Sequence, residues 1–192
     1  RYLGRDYREA PALFIEFHSS TAAAMNEEVA LAEELMREAG ALDITVARTQ
    51  AERTAQWEAR HHVYWASVNA TPDHVHHITD TAVPLAQFPA LIGEAQRMLA
   101  ELGLEGSILG HVGDGNFHTL IATKPEDDRA ERFAARLNKR ALALGGTVSG
   151  EHGIGLVKRG YMLDEHGPAV EWMRRIKGLF DPDNLLNPGK IV

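Results

Sequence analysis

Short apolar runs alternate with amphipathic stretches along this chain of 192 residues, and that alternation limits the folds open to it. Apolar or alternating runs typical of strands occupy residues 12–18, 42–48, 76–83, 107–111 and 116–123. Apolar residues at helical spacing predict helices over residues 26–39, 51–68, 84–102 and 168–179, and a further helix opened by Pro125. We therefore predict an α+β fold in one domain over residues 1–192: a ferredoxin-like βαβ-type sandwich with an antiparallel or mixed sheet covered by helices.

Composition excludes several classes of function. The net charge of −7 argues against a nucleic-acid partner, which would need a basic face. The absence of cysteine excludes disulfides, thiolate nucleophiles and cysteine-based zinc sites. The chain shows no run of 18 apolar residues and no targeting segment, so we expect a cytoplasmic protein, with peripheral attachment to the inner membrane as the alternative.

The densest chemical signal is the stretch Gly-His-Val-Gly-Asp-Gly-Asn-Phe-His over residues 110–118. Asp114-Gly115 is a strong hairpin signal and lies almost midway between His111 and His118. Folding the chain there predicts that the two imidazoles lie opposite or nearly opposite each other, about 5 Å apart at Cβ, which suits one metal ion. The alternative is a tight glycine turn flanked by two polar strand residues.

A third ligand is available in the stretch Ser-Gly-Glu-His-Gly-Ile-Gly over residues 149–155. Flanking glycines leave the backbone of Glu151 and His152 free to approach a ligand closely. A metal held by two imidazoles usually needs a further ligand, often a carboxylate, and Glu151 would supply it. The alternative for this stretch is a flexible surface loop.

These two stretches become specific in combination with the ending Phe-Asp-Pro-Asp-Asn-Leu-Leu-Asn-Pro-Gly-Lys over residues 180–190. Together they resemble the C-terminal domain of the FAD-linked oxidases related to vanillyl-alcohol oxidase. That group includes D-lactate dehydrogenase, the glycolate oxidase flavin subunit and D-2-hydroxyglutarate dehydrogenase. The resemblance runs over nearly the whole chain.

The resemblance implies a role for each matching residue. His111, His118 and Glu151 would bind a divalent metal (Zn, Mn or Fe), and His152 would be the general base. Arg60 would hold the substrate carboxylate, since a guanidinium is its natural bidentate partner. Asn187 would contact the flavin, with the C-terminal helix and tail of residues 168–192 nearby.

The reaction so implied is oxidation of a small 2-hydroxy acid of the D-lactate or glycolate type, with hydride transfer to FAD. The position two after His118 is an asparagine in D-2-hydroxyglutarate dehydrogenases and Leu120 here, and the lysine two before Asp80 is replaced by Ile78. Both changes remove polar partners for a second carboxylate and favour a monocarboxylate substrate.

The resemblance also implies partners. FAD would be bound mainly by an N-terminal domain of the same polypeptide, which is absent here, so we expect this chain alone to fold but to be inactive. The electron acceptor would be a quinone, a cytochrome or an electron-transferring flavoprotein, and a homodimer is a further expectation. Two alternatives remain from the residues themselves: a metal-dependent hydrolase with His152 as base, and a non-catalytic metal-binding module.

Overall fold

A computed structural model describes residues 10–192 and divides the chain into two compact units, residues 1–67 and 68–192. The fold is α+β, as predicted from the alternation of patterns. Whether residues 1–192 act as one domain stays a prediction. None of the helices formed by the described residues is long and apolar enough to cross a bilayer.

The first unit is built on helices α1 (Ala22–Glu38) and α2 (Gln50–His61), and α3 (Val63–Ala70) runs across its boundary. Thr21 caps α1 through a hydrogen bond from the N–H of Ala24. Thr49 and Glu52 form a capping box that starts α2. The helix predicted over residues 51–68 is thus two helices, because the chain leaves helical geometry at His62.

The strands predicted over residues 12–18 and 42–48 were wrong, since neither segment pairs with a strand in the described part of the chain. Their alternation nevertheless has a structural meaning. Apolar side chains of both segments, with others from α1 and α2, line a cavity of about 390 Å³ within this unit. A bidentate ion pair between Arg53 and Glu16 lies at its wall, with nitrogen–oxygen distances of 2.7 to 2.9 Å.

The second unit carries a small antiparallel sheet with β4 (Asn116–Thr123) at its centre. β3 (Gly106–His111) pairs with one edge of β4, and β1 (Val75–Ile78) and β2 (Thr81–Ala82) pair with the other. β1 and β2 share a single register against β4, so they continue the one strand predicted over residues 76–83. An isolated bridge from Ala82 to Thr147 extends this edge by one residue.

Helices connect these strands in the order expected of a ferredoxin-like unit. α4 (Phe88–Leu102) joins β2 to β3, and α5 (Arg129–Ala143) joins β4 to the bridge at Thr147. The bridge stands where the fourth strand of a ferredoxin-like sheet would lie. α5 starts four residues later than predicted, because Asp127 accepts the N–H of Arg129 and the chain turns before the helix begins. Two further helices follow, α6 (Met162–His166) and α7 (Ala169–Phe180).

One face of the sheet packs against the hydrophobic core, and the other carries the candidate site. Side chains of a strand alternate between faces. Phe117 and Ile121 of β4 therefore point to one face, where they join the hydrophobic core with α4 and α5. Phe117 meets Phe88 edge to face, with ring centroids 5.9 Å apart. The opposite face carries His118 and Leu120, and it is the face on which the candidate site is built.

Candidate functional site

The site is centred on His118, which is only 7% exposed in the middle of β4. Its Nδ1 lies 3.1 Å from the carbonyl oxygen of Thr79, and its Nε2 lies 2.6 Å from Oε1 of Glu151. A carbonyl can only accept a hydrogen bond, so Nδ1 must carry a proton. Nε2 faces the carboxylate of Glu151. It can donate a hydrogen bond to the carboxylate if it is protonated, or bind a cation together with the carboxylate through its lone pair if it is not.

Thr79 explains both the orientation of His118 and the break between β1 and β2. Its backbone N–H still bonds to the carbonyl of Thr119, at 3.1 Å. The N–H of Thr119 bonds in return to the Thr79 hydroxyl at 2.9 Å, while the Thr79 carbonyl receives His118. A side-chain oxygen thus replaces one backbone acceptor of the ladder, and the carbonyl it releases fixes the imidazole ring.

Asp80, which sequence reasoning did not place in the site, lies opposite His118 in this register and is 1% exposed. Its carboxylate accepts the backbone N–H of Glu151 at 3.1 Å and that of His152 at 3.0 Å. It also pairs with Nζ of Lys158 at 2.8 Å. Burial alone raises the pKa of Asp80, but the hydrogen bonds from Lys158 and the two backbone N–H groups, with the lysine charge, outweigh it and hold the pKa below its usual value.

His152 stacks on His118 with the two rings 4.8 Å apart at their centroids and nearly parallel, at 7°. Its Nε2 lies 3.8 Å from Oε1 of Glu151, and its side chain is about half exposed. His118, His152 and Asp80 form a cluster in which one potential ligand atom from each lies within 4.8 Å of the others. The structure thus brings together three of the residues singled out by sequence, His118, Glu151 and His152.

Gly150 lets the loop approach the strands closely. A Cβ atom built there would lie 2.3 Å from Oδ1 of Asn116 and 2.8 Å from Oδ1 of Asp80, so any larger residue must displace the loop. Oδ1 of Asn116 is itself buried and has no hydrogen-bond partner among the described residues. A polar atom of this kind beside carboxylate and imidazole groups fits the surroundings of a cation.

His111 is placed differently from the prediction. The turn holds four residues, 112–115, so the ladder begins with His111 opposite Asn116, and Leu109 stands opposite His118. The two histidines were expected to lie opposite or nearly opposite each other, and they are diagonal neighbours on one face, a separation of about 7–8 Å between Cα atoms. His111 is exposed and lies outside the cluster formed by His118, His152 and Asp80.

The other two predicted residues belong to other elements of the chain. Arg60 is half-buried in the last turn of α2, in the first unit. Asn187 lies in the tail after α7 with a left-handed φ of 48°, and its Oδ1 accepts a hydrogen bond from Nζ of Lys190 at 2.9 Å. The tail returns to the loop that follows the site, where the N–H of Ile191 bonds to the carbonyl of Gly155 at 3.0 Å.

The comparisons with known proteins show the family of the chain. The chain matches the family of FAD linked oxidases, C-terminal domain, over residues 3–191, and it belongs to that family. It is 42% identical to the probable mitochondrial D-lactate dehydrogenase of Danio rerio over 100% of this chain. It is 34% identical to the mitochondrial D-lactate dehydrogenase [cytochrome] of Arabidopsis thaliana over 98% of the chain, and 32% identical to glycolate oxidase subunit GlcD of Escherichia coli (strain K12) over 88%.

The chain spans 39% of the Danio rerio protein and 34% of each of the other two relatives. The resemblance noted from the motifs is thereby confirmed at the level of the family. Activity, substrate and partners are properties of the longer proteins, and for this chain they are a matter of proposal.

We predict that Gly150→Ala distorts the site while Gly160→Ala does not. The added methyl group at residue 150 meets Asn116 and Asp80, whereas a Cβ at Gly160 has nothing within 4 Å and needs no left-handed backbone. Overpacking of this kind costs about 1–3 kcal/mol, measured as the free energy of unfolding in urea. Equal stability of the two variants would contradict the close packing of the loop.

Proposed function

We propose that this chain is the substrate- and metal-binding domain of a flavin-dependent dehydrogenase that oxidises a small D-2-hydroxy acid to the 2-oxo acid. One observation carries the proposal: the Nε2 of a buried histidine and a carboxylate oxygen of Glu151 lie 2.6 Å apart, next to a second, exposed imidazole. Family membership supplies the flavin, and the D-lactate and glycolate enzymes among the relatives supply the substrate class.

The donor set fits a divalent metal. His118 and Glu151 already face each other, and the Nδ1 of His118 is committed to a carbonyl, which leaves Nε2 for a metal ion. His111 is the proposed third ligand, supported by its position on the same sheet face. Zn, Mn and Fe all accept such nitrogen and oxygen ligands. When bound, the metal would act as a Lewis acid towards the oxygens of the hydroxy acid.

His152 is the proposed general base that accepts the hydroxyl proton of the substrate. Its side chain is about half exposed, whereas that of His118 is only 8% exposed, so His152 can pass a proton on to solvent. Its stacking on His118 and the bond from its backbone N–H to Asp80 hold the ring beside the proposed metal ligands. Arg60 is proposed to bind the substrate carboxylate through its guanidinium group.

The flavin is proposed to be held mainly by a further domain of the same polypeptide and to take the hydride of the substrate. The tail of residues 168–192 is proposed to face it, with Asn187 as a contact. Large apolar side chains of this segment are exposed, which supports contact with another surface: Trp172, Ile176, Leu179, Phe180, Leu185 and Leu186. The electron acceptor, the homodimer and the cellular location stay predictions.

The metal proposal predicts that removing a ligand empties the site. In the full-length flavoprotein, we expect both Glu151→Gln and His118→Ala to lower the affinity for the metal. The decrease should exceed the roughly 10- to 100-fold that follows from loss of an outer hydrogen-bond partner of a ligand. Metal content after dialysis, measured by plasma mass spectrometry, is the readout. His18→Ala is the control, since that side chain is 84% exposed. Retention of metal in both ligand variants would refute the site.

The assignment of His152 as base predicts a different phenotype from that of the ligands. His152→Gln should retain the metal and lower kcat by about 100- to 10,000-fold, because proton transfer is lost while the ligands remain. Steady-state kinetics with D-lactate and the metal content of the same preparation measure both effects. Loss of metal with loss of activity would instead make His152 a ligand, in keeping with its place in the cluster with Asp80 and His118.

The substrate proposal predicts that a monocarboxylate is preferred to a diacid. Ile78 lies directly opposite Leu120 in the β1–β4 register, on the sheet face of His118, and both are apolar. Ile78→Lys should raise the ratio of kcat/KM for D-2-hydroxyglutarate over D-lactate by about 10- to 100-fold, the value of a hydrogen bond to a charged group. Val75→Lys is the control, because Val75 is similarly exposed on the same strand but belongs to the other face. Preference of the unaltered enzyme for the diacid would overturn the proposal.

A further inference from the structure

Lys158 is the second charged residue at the site that sequence reasoning did not single out. Its Nζ lies 2.8 Å from Oδ2 of Asp80 and 2.8 Å from the Asp80 carbonyl oxygen. The lysine side chain is 13% exposed and the aspartate side chain 1% exposed. A carboxylate removed from water to this degree requires a cation and several hydrogen bonds, and Lys158 is the cation that the structure provides.

Asp80 has the appearance of a metal ligand, because it lies in one cluster with His118 and His152. Its oxygens, however, are already engaged. Oδ2 accepts from Lys158 and from the N–H of His152, and both oxygens lie within 3.3 Å of the N of Glu151. These donors come from two consecutive residues of the loop and from the lysine six residues later, so the carboxylate binds the loop at two points.

We propose that Asp80 and Lys158 form a positioning pair that sets Glu151 and His152 against His118, and that Asp80 is not a metal ligand. The inference rests on the proposed function for its consequence in catalysis. The two N–H groups that Asp80 accepts belong to the residues whose side chains meet His118, one through a hydrogen bond and the other through ring stacking. Fixing the peptide groups of residues 151 and 152 therefore fixes the directions in which both side chains leave the backbone.

Lys158 acts on the site at a distance through this carboxylate. Without the lysine, Asp80 would keep the imidazole of His118, 3.8 Å away, as a possible cationic neighbour. The loss of the ion pair would favour movement of the carboxylate towards water, and its hydrogen bonds to the two N–H groups would weaken. Lys158 makes no hydrogen bond to His118, Glu151 or His152 in the structure, so its removal does not take away a ligand or a base. Its substitution therefore separates positioning from ligation.

The first experiment tests the positioning itself and needs neither metal nor turnover. Hydrogen exchange at the backbone N–H groups of Glu151 and His152 is measured in the full-length protein after metal removal. Lys158→Met should speed exchange at these two groups by about 10- to 100-fold, the value of a hydrogen bond to a charged group. Lys139→Met, at an exposed lysine of α5, is the matched control and should leave exchange unchanged.

The second experiment tests the consequence for the site. Lys158→Met should lower metal affinity by about 10- to 100-fold, the cost of losing an outer partner of a ligand, and should lower kcat more than it raises KM. Lys158→Arg, which keeps the charge, should recover part of both losses. Asp80→Asn, of nearly equal volume, provides a second variant if Lys158→Met does not fold, and it should also speed exchange at residues 151 and 152.

The outcomes separate the two proposals. Unchanged exchange at residues 151 and 152 in both Lys158→Met and Asp80→Asn overturns the positioning pair, whatever the enzyme does. Faster exchange in a protein whose unaltered form binds no metal and oxidises no 2-hydroxy acid supports the pair and refutes the proposed function. Complete loss of metal from Asp80→Asn, with Lys158→Met retaining full affinity, would make Asp80 a ligand and overturn the inference.

Discussion

The hydrogen bonds of the buried Asp80 carboxylate are the interactions on which the position of residues 151–158 against the sheet depends. The carboxylate lies in the interruption between β1 and β2, and it accepts hydrogen bonds from two residues of the loop after α5 and from Lys158 beyond that loop. A charge that is 1% exposed must be paired and hydrogen-bonded, and these partners meet that need. The carboxylate therefore joins the sheet to a segment that contributes only one bridging residue to it, Thr147.

The interruption that holds Asp80 also changes the hydrogen bonding of the neighbouring residue, Thr79. A regular ladder would commit the carbonyl of Thr79 to the N–H of Thr119. Here the Thr79 hydroxyl takes that N–H, and the carbonyl orients the imidazole of His118. β4 is paired along both edges, so the ring is attached to the most constrained strand of the unit. Its alternating residues contribute to the hydrophobic core on one face and to the candidate site on the other.

Much of this could be predicted because it is local in sequence. The hairpin at residues 112–115 follows from Asp114-Gly115. That Glu151 and His152 enter the site together follows from their being consecutive residues between two glycines. The register could not be predicted, since a turn of four residues instead of two moves His111 from opposite His118 to opposite Asn116. Asp80 and Lys158 were missed because the contacts at this site join residues that are far apart in sequence. Asp80 is 71 residues from Glu151 and 78 residues from Lys158, and no periodicity links these positions.

The segments 12–18 and 42–48 show the opposite limit. Apolar side chains of both segments line one cavity, among them Leu13, Ile15, Ile44 and Val46, but the sequence pattern could not supply a pairing partner. A strand is defined by the ladder it joins, and no ladder to these segments forms within the described residues. Leu13 and Ile15 are also 60% and 44% exposed, so the buried strand predicted over residues 12–18 was wrong in its burial as well as in its pairing.

The two stacked imidazoles differ in burial, and this difference suits the two different roles proposed for them. A ligand is most effective when its ring cannot turn, and His118 is buried, bonded through Nδ1 and paired through Nε2. A general base must exchange its proton with water in every cycle, and the half-exposed His152 meets that need while its backbone stays fixed to Asp80. Exchanging the two roles would place a proton acceptor where water cannot reach it and a metal ligand where only stacking restrains it. The burial pattern therefore favours His118 as the ligand and His152 as the base, in addition to the family resemblance.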